Sequence, residues 1–122
     1  MPQMMALILK EAKSMGFSQE AVNQIQLAAE EALVNVIHYA YPDKDGEVKI
    51  TVNPQQGKQL EVVITDQGVA FDPLSLPEPD LETPLESRKI GGLGVYLMRK
   101  LMDEVRYKRE GGRNILSFMK KL

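Results

Sequence analysis

Glu31 and Asn35 stand four residues apart in Glu31-Ala-Leu-Val-Asn35, a carboxylate and a carboxamide one helical turn from each other. Val22, Ile25, Ala29, Ala32, Leu33, Val36 and Ala40 recur at helical spacing around them, so residues 21–40 read as a helix and the pair borders its core-facing side. A carboxylate there can take a proton from a hydroxyl or orient a water, and a carboxamide oxygen is a hard ligand suited to Mg2+. For an isolated Glu-x-x-x-Asn a solvated helix edge is the better account. The pair gains weight only from what lies downstream.

Two further stretches could do chemistry. Asp66-Gln-Gly68-Val-Ala70-Phe71-Asp72 sits where an alternating run ends and a loop begins. An ionised Asp66 could accept a bond from an exocyclic amine such as adenine N6, and Gly68 would let backbone approach a flat ring. Taken alone, Asp and Gly there are explained as a turn. Gly91-Gly92-Leu93-Gly94 precedes Val95, Met98, Leu101 and Met102, which mark a helix of about three turns. A glycine-rich turn feeding a helix N-terminus attracts phosphate, although the signal is weak alone. The P-loop pattern is absent, as is a strand-linked Gly-x-Gly-x-x-Gly run, which disfavours two large nucleotide-binding classes. His38, the sole histidine, falls near the Glu31 and Asn35 stripe and reads as a polar contact at its margin. The methionines at helical spacing read as core, and Lys120 and Lys121 as a solvated end.

These groups need elements to hold them. Met4, Met5, Ile8, Leu9, Ala12 and Met15 predict a first helix that Gly16 stops, and Ser18 offers the N-cap of the second, with Phe17 and Val22 as its hydrophobic staple. That second helix should end around residues 39–41, before Pro42. Val48, Ile50 and Val52 alternate with polar residues, as do Leu60, Val62 and Ile64. The two runs predict an antiparallel hairpin turning at Pro54-Gln55-Gln56-Gly57. Residues 71–90 carry four prolines and read as a long functional loop. A closing hairpin turns at Glu110-Gly111-Gly112-Arg113, with Val105, Tyr107, Leu116 and Phe118 facing inward. Helices and strands grouped in this order predict an α+β two-layer sandwich, a mixed, largely antiparallel sheet with helices on one face.

The chain has 122 residues, enough for one core, so residues 1–122 read as a single domain. Hydrophobic residues at 43% and charged residues at 26% exclude a disordered or fibrous chain. A net charge of -2 offers no basic field for nucleic acid or an anionic membrane. With no cysteine there is neither a disulfide framework nor a thiolate metal site. Apolar runs fall far short of the ~20 residues of a membrane span, and residues 1–15 do not resemble a signal peptide. These features fit a soluble cytoplasmic protein.

In this order, Glu31-x-x-x-Asn35, Asp66-x-Gly68 and Gly92-x-Gly94 resemble the N box and the two glycine boxes of the GHKL superfamily, the Bergerat-fold ATPases and kinases. Within it the wording is most similar to the anti-sigma factor serine/threonine kinase group. Leu27-Ala-Ala-Glu-Glu31-Ala-Leu-Val-Asn35, His38-Tyr-Ala-Tyr-Pro42, Asp66-Gln-Gly-Val-Ala-Phe-Asp-Pro73 and Gly91-Gly-Leu-Gly-Val-Tyr-Leu97 carry the likeness. Position by position, the resemblance implies that Asn35 coordinates the Mg2+ of a bound ATP and that Asp66 recognises adenine. Gly68, Ala70 and Phe71 would line the base, Gly91, Gly92, Leu93 and Gly94 the phosphates, and Asn114 would stand in the Gly-x-Thr element, here Gly112-Arg113-Asn114. Glu31 would be the general base and residues 73–90 the ATP lid.

The implied activity is Mg-ATP-dependent phosphorylation of a serine or threonine on an anti-anti-sigma partner, with a sigma factor as a second protein partner and a homodimer as the assembly. A switch that binds nucleotide and partner without phosphoryl transfer is the alternative, as is an ATP-binding domain belonging to a larger signalling protein. The chain departs from the group in three places. Members of the group often have an extra strand before the first helix, whereas here that helix begins almost at once; Ile90 stands where an arginine often precedes the double glycine, with Arg88 and Lys89 upstream; and Asn114 replaces the threonine.

Overall fold

The structure, a computed structural model, describes residues 2–36, 46–55, 57–70 and 92–122. His38, the expected end of the second helix, the proline-rich stretch, Phe71 and Gly91 lie outside the described residues.

Gly16 stops the first helix by adopting φ 92°, a left-handed conformation that costs a residue without Cβ little. Helix α1 (Pro2–Ser14) ends in a Schellman arrangement, with Gly16 N donating to Lys13 O and Phe17 N to Ala12 O. Two residues later Ser18 opens α2 (Gln19–Asn35), its Oγ accepting from Ala21 N at 3.1 Å. Val22, Ile25, Ala28, Ala29, Ala32, Leu33 and Asn35 are the buried residues of α2, so the apolar stripe read from spacing is the packed one.

Strands β1 (Val48–Gln55) and β2 (Gln59–Asp66) pair antiparallel, from Val48 opposite Asp66 to Gln55 opposite Gln59. The turn comes later than expected. Pro54 and Gln55 continue the strand, and Gly57, at φ 78°, lies in the turn. Proline is tolerated because β1 is an edge strand, where its missing N–H breaks no ladder bond on the solvent side. Helix α3 (Gly92–Leu101) leads to β3 (Glu104–Glu110) and β4 (Arg113–Lys121). Their hairpin turns at Gly111 and Gly112, whose φ values of 60° and 77° suit the two-residue loop that matches strand twist.

The sheet order is β1-β2-β4-β3. Every pairing among the described residues is antiparallel, in keeping with the expected largely antiparallel sheet. The reason is connectivity: α3 carries the chain from β2 to the edge at β3, and the hairpin brings β4 back beside β2. On the helix side, Leu60, Val62, Ile64, Leu116 and Phe118 meet Ile8, Ala12, Ile25, Ala29, Leu33 and Met98 in one core.

Lys120 is not a solvated end. Its Nζ donates to Leu101 O at 2.6 Å, capping the carbonyl end of α3, and Lys121 N donates to Asp103 Oδ2 at 2.6 Å. A cation there satisfies an orphan carbonyl and opposes the negative end of the helix dipole. Lys120→Met should therefore lower stability by about 1 kcal/mol, a few degrees in Tm. Thermal unfolding checks this, and an unchanged Tm would mean the cap contributes nothing.

Candidate functional site

Asn35 occupies the last turn of α2 and is only 2% exposed. Its Nδ2 donates to Glu31 O at 2.9 Å, and because a backbone carbonyl only accepts, this bond fixes which end of the amide faces the helix. Oδ1 is turned the other way and, among the described residues, is the one buried side-chain polar atom without a partner. Leaving such an acceptor dry costs about 1–3 kcal/mol. An orphan oxygen of this kind fits a hard cation or a ligand donor. No cluster of three or more acidic or histidine ligands occurs among the described residues, so a cation here would draw its remaining ligands from water and ligand oxygens, as Mg2+ usually does. Glu31 is half-buried one turn earlier on the same side of α2.

Asp66 ends β2 with its side chain on the helix side of the sheet, 3% exposed. Oδ1 accepts from Gly68 N at 2.9 Å and from Asn114 Nδ2 at 2.8 Å. The first of these bonds is the turn that residue types alone would predict. The second is a tertiary contact: the β2–β4 register sets Asp66 opposite Asn114. Both bonds fall on one oxygen, so Oδ2 keeps its accepting capacity, with no partner among the described residues. Gly68 does not have a positive φ, so backbone conformation is not what requires glycine there. Val69 and Ala70, which follow it, are exposed.

Asn114 was expected only as a donor in place of a threonine, and it does more. Its Nδ2 is shared between Asp66 Oδ1 and Val69 O, each at 2.8 Å, while Tyr107 Oη donates to its Oδ1 at 2.6 Å. Arg109 Nη1 donates to Gly68 O at 2.7 Å. Tyr107 packs against the core as its alternation predicts, but neither its hydroxyl bond nor the reach of Arg109 is visible in the spacing. The available signal was the Gly111-Gly112 turn, which sets Arg109 opposite Asn114, with Tyr107 two residues back on the same face.

Gly92, Leu93 and Gly94 form the first turn of α3 instead of a loop ahead of it. First-turn N–H groups have no acceptor within the helix, so the expected anion-seeking donors remain. Helix α3 packs on α2. A cavity of about 400 Å³ at the Asp66 end of the β1–β2 pair is lined by Glu47, Val48, Lys49, Thr65, Asp66, Gln67 and Arg113. It does not reach Asn35 or Asn114, so it is not the space those side chains face.

An antiparallel sheet with helices on one face, a buried Asp at the end of β2 and an orphaned Asn oxygen at the end of α2 define an ATP-binding domain of the Bergerat type. The chain belongs to the histidine kinase-like ATPase domain family, whose model matches residues 1–120. It is similar to the serine-protein kinase RsbW of Bacillus thuringiensis (strain Al Hakam), with 31% identity over 109 residues, 86% of this chain and 68% of that protein. The serine-protein kinase RsbW of Bacillus cereus (strain G9842) is 32% identical over the same shares. Among solved structures, the blue-light activated histidine kinase of Erythrobacter litoralis EL346 superimposes with a TM-score of 0.63 at 19% identity, covering 99% of this chain and 40% of that one. Its separate histidine kinase domain gives 0.58 at 23%, covering 84% and 45%. At those identities the likeness is one of fold.

Proposed function

We propose that this chain is an ATP-dependent serine kinase acting as an anti-sigma regulatory factor, with an anti-anti-sigma protein as its substrate and a sigma factor as a second partner. The observation that carries the reading is Asn35 Oδ1, buried and without a partner among the described residues, an acceptor that a bound cation or ligand donor would satisfy. The relatives named serine-protein kinases, matched over 86% of the chain, support the choice of activity.

In this reading Asp66 Oδ2 accepts from the exocyclic amine of adenine, with Gly68, Ala70 and Phe71 beside the ring. The first-turn N–H groups of α3, with Gly91 before them, receive the phosphates. Asn35 would hold Mg2+, and the cation would supply neutralisation of charge developing on the phosphoryl group. Glu31, one turn from Asn35, takes the proton of the acceptor hydroxyl as its oxygen attacks. In this reading residues 1–122 form one ATPase domain, and the protein acts in the cytoplasm as a homodimer. No helix among the described residues is long and apolar enough to cross a membrane.

Labelled ATP, Mg2+ and a candidate partner test the reading. Label should pass to a partner serine, and Glu31→Gln should bind ATP with similar affinity but transfer at least about 100-fold more slowly. A stoichiometric complex with no label transferred by the wild type would sink the kinase reading in favour of a nucleotide-gated switch. Transfer at full rate by Glu31→Gln would remove Glu31 as the base.

A further inference from the structure

The edge strand β3 contributes nothing to the nucleotide motifs, yet two of its side chains control the turn that follows Asp66. Arg109 Nη1 grips Gly68 O at 2.7 Å, and Tyr107 Oη reaches Asn114, which grips the next carbonyl, Val69 O. Tyr107 and Arg109 lie two apart and so on one face of β3. Tyr107 is half-buried with its ring packed against the core, so its hydroxyl is delivered from a fixed base.

We infer that Tyr107 is a positioning residue for purine selection, acting through Asn114 on Asp66. Asn114 is 4% exposed, and its amide has a donating and an accepting end that cannot interchange without rotating the group. Asp66 Oδ1 and Val69 O both require the donating end. Asp66 Oδ1 and Val69 O set which way the amide faces, and the Tyr107 hydroxyl, donating to Oδ1 at 2.6 Å from the far side, holds the oriented amide in place. With the amide held, Asp66 Oδ1 is occupied and Oδ2 is aimed as a pure acceptor. A pure acceptor at that place favours adenine, whose C6 bears a donor, over guanine, whose C6 bears an acceptor. Loosening the amide frees the carboxylate to rotate and blurs the distinction. The inference rests on the ATP reading above.

Calorimetric titration of the full chain with Mg-ATP and Mg-GTP tests it. Tyr107→Phe removes one hydroxyl and keeps the ring. It should weaken ATP about 5- to 10-fold while leaving GTP unchanged or slightly tighter, so that the ATP-to-GTP affinity ratio falls. A merely structural loss would weaken both nucleotides alike. Combining Tyr107→Phe with Asn114→Thr gives the second arm. Threonine carries no amide oxygen for the Tyr107 hydroxyl to hold, while its own hydroxyl can still donate toward Asp66. On the Asn114→Thr background the Tyr107→Phe change should therefore leave the ratio where it was, a coupling read as a double-mutant cycle. An unchanged ratio in the single variant, or an equal fall on both backgrounds, overturns the role of Tyr107. Wild type that binds neither nucleotide overturns the ATP reading, and this inference with it.

Discussion

Asp66→Asn should leave the protein folded and remove about 100-fold or more of its affinity for ATP, roughly 3 kcal/mol. The geometry dictates how. Two N–H donors, from Gly68 and Asn114, converge on Oδ1, so a carboxamide at this position settles with its oxygen there and keeps both bonds. Its NH2 must then occupy the place of Oδ2, turning the acceptor offered to adenine N6 into a donor. Donor faces donor, and the penalty for a buried mismatch is larger than for a missing bond. The same reversal should narrow the gap between ATP and GTP, because guanine presents an acceptor at C6. Calorimetry with both nucleotides, beside a thermal melt of the unliganded protein, gives the result. Undiminished ATP binding by a folded variant would show that Asp66 does not read the base.

Asn35→Leu should have opposite effects on stability and binding. Leucine has nearly the shape of asparagine and abolishes the buried, unpartnered Oδ1. The bond lost from Nδ2 to Glu31 O is a minor one, since that carbonyl also accepts within the helix ladder. The unliganded protein should therefore become more stable by about 1–2 kcal/mol, several degrees in a thermal melt. Mg2+ should at the same time cease to strengthen ATP binding, because the Asn35 oxygen proposed to share the cation is gone. Asn35 would then be a site where stability is given up for function, as is common where a polar group waits for a ligand. A variant that is less stable, or that keeps the full Mg2+ dependence, would remove Asn35 from the metal-binding role.

Local patterns were legible wherever a short range of sequence decided the outcome. Gly16, Ser18 and the Gly111-Gly112 pair act within a few residues of themselves, through left-handed φ or a side chain reaching its own backbone. The alternation in β1 and β2 likewise announced which face is buried. Pro54 misled because proline is excluded from central strands but allowed at an edge, and edge position is a property of the sheet. Lys120 misled in the same way: near the end of the chain it reads as solvated, and only the packing of α3 brings Leu101 O to it.

Residue types and order by themselves determined the classes of element, their sequence, and the set Glu31, Asn35, Asp66, Gly92 and Gly94 as the chemically interesting positions. Tertiary structure decided which end of each amide faces which group. Asn114 lies 48 residues from Asp66 in the chain, and the β2–β4 register sets them opposite each other. Tyr107 and Arg109 join them because β3 is placed on the far side of β4. A hydrogen bond is specified within a fraction of an ångström and a few tens of degrees, whereas sequence periodicity specifies only a face. Direction, register and the orphaning of a single oxygen therefore appear only once the strands are paired and the core is closed.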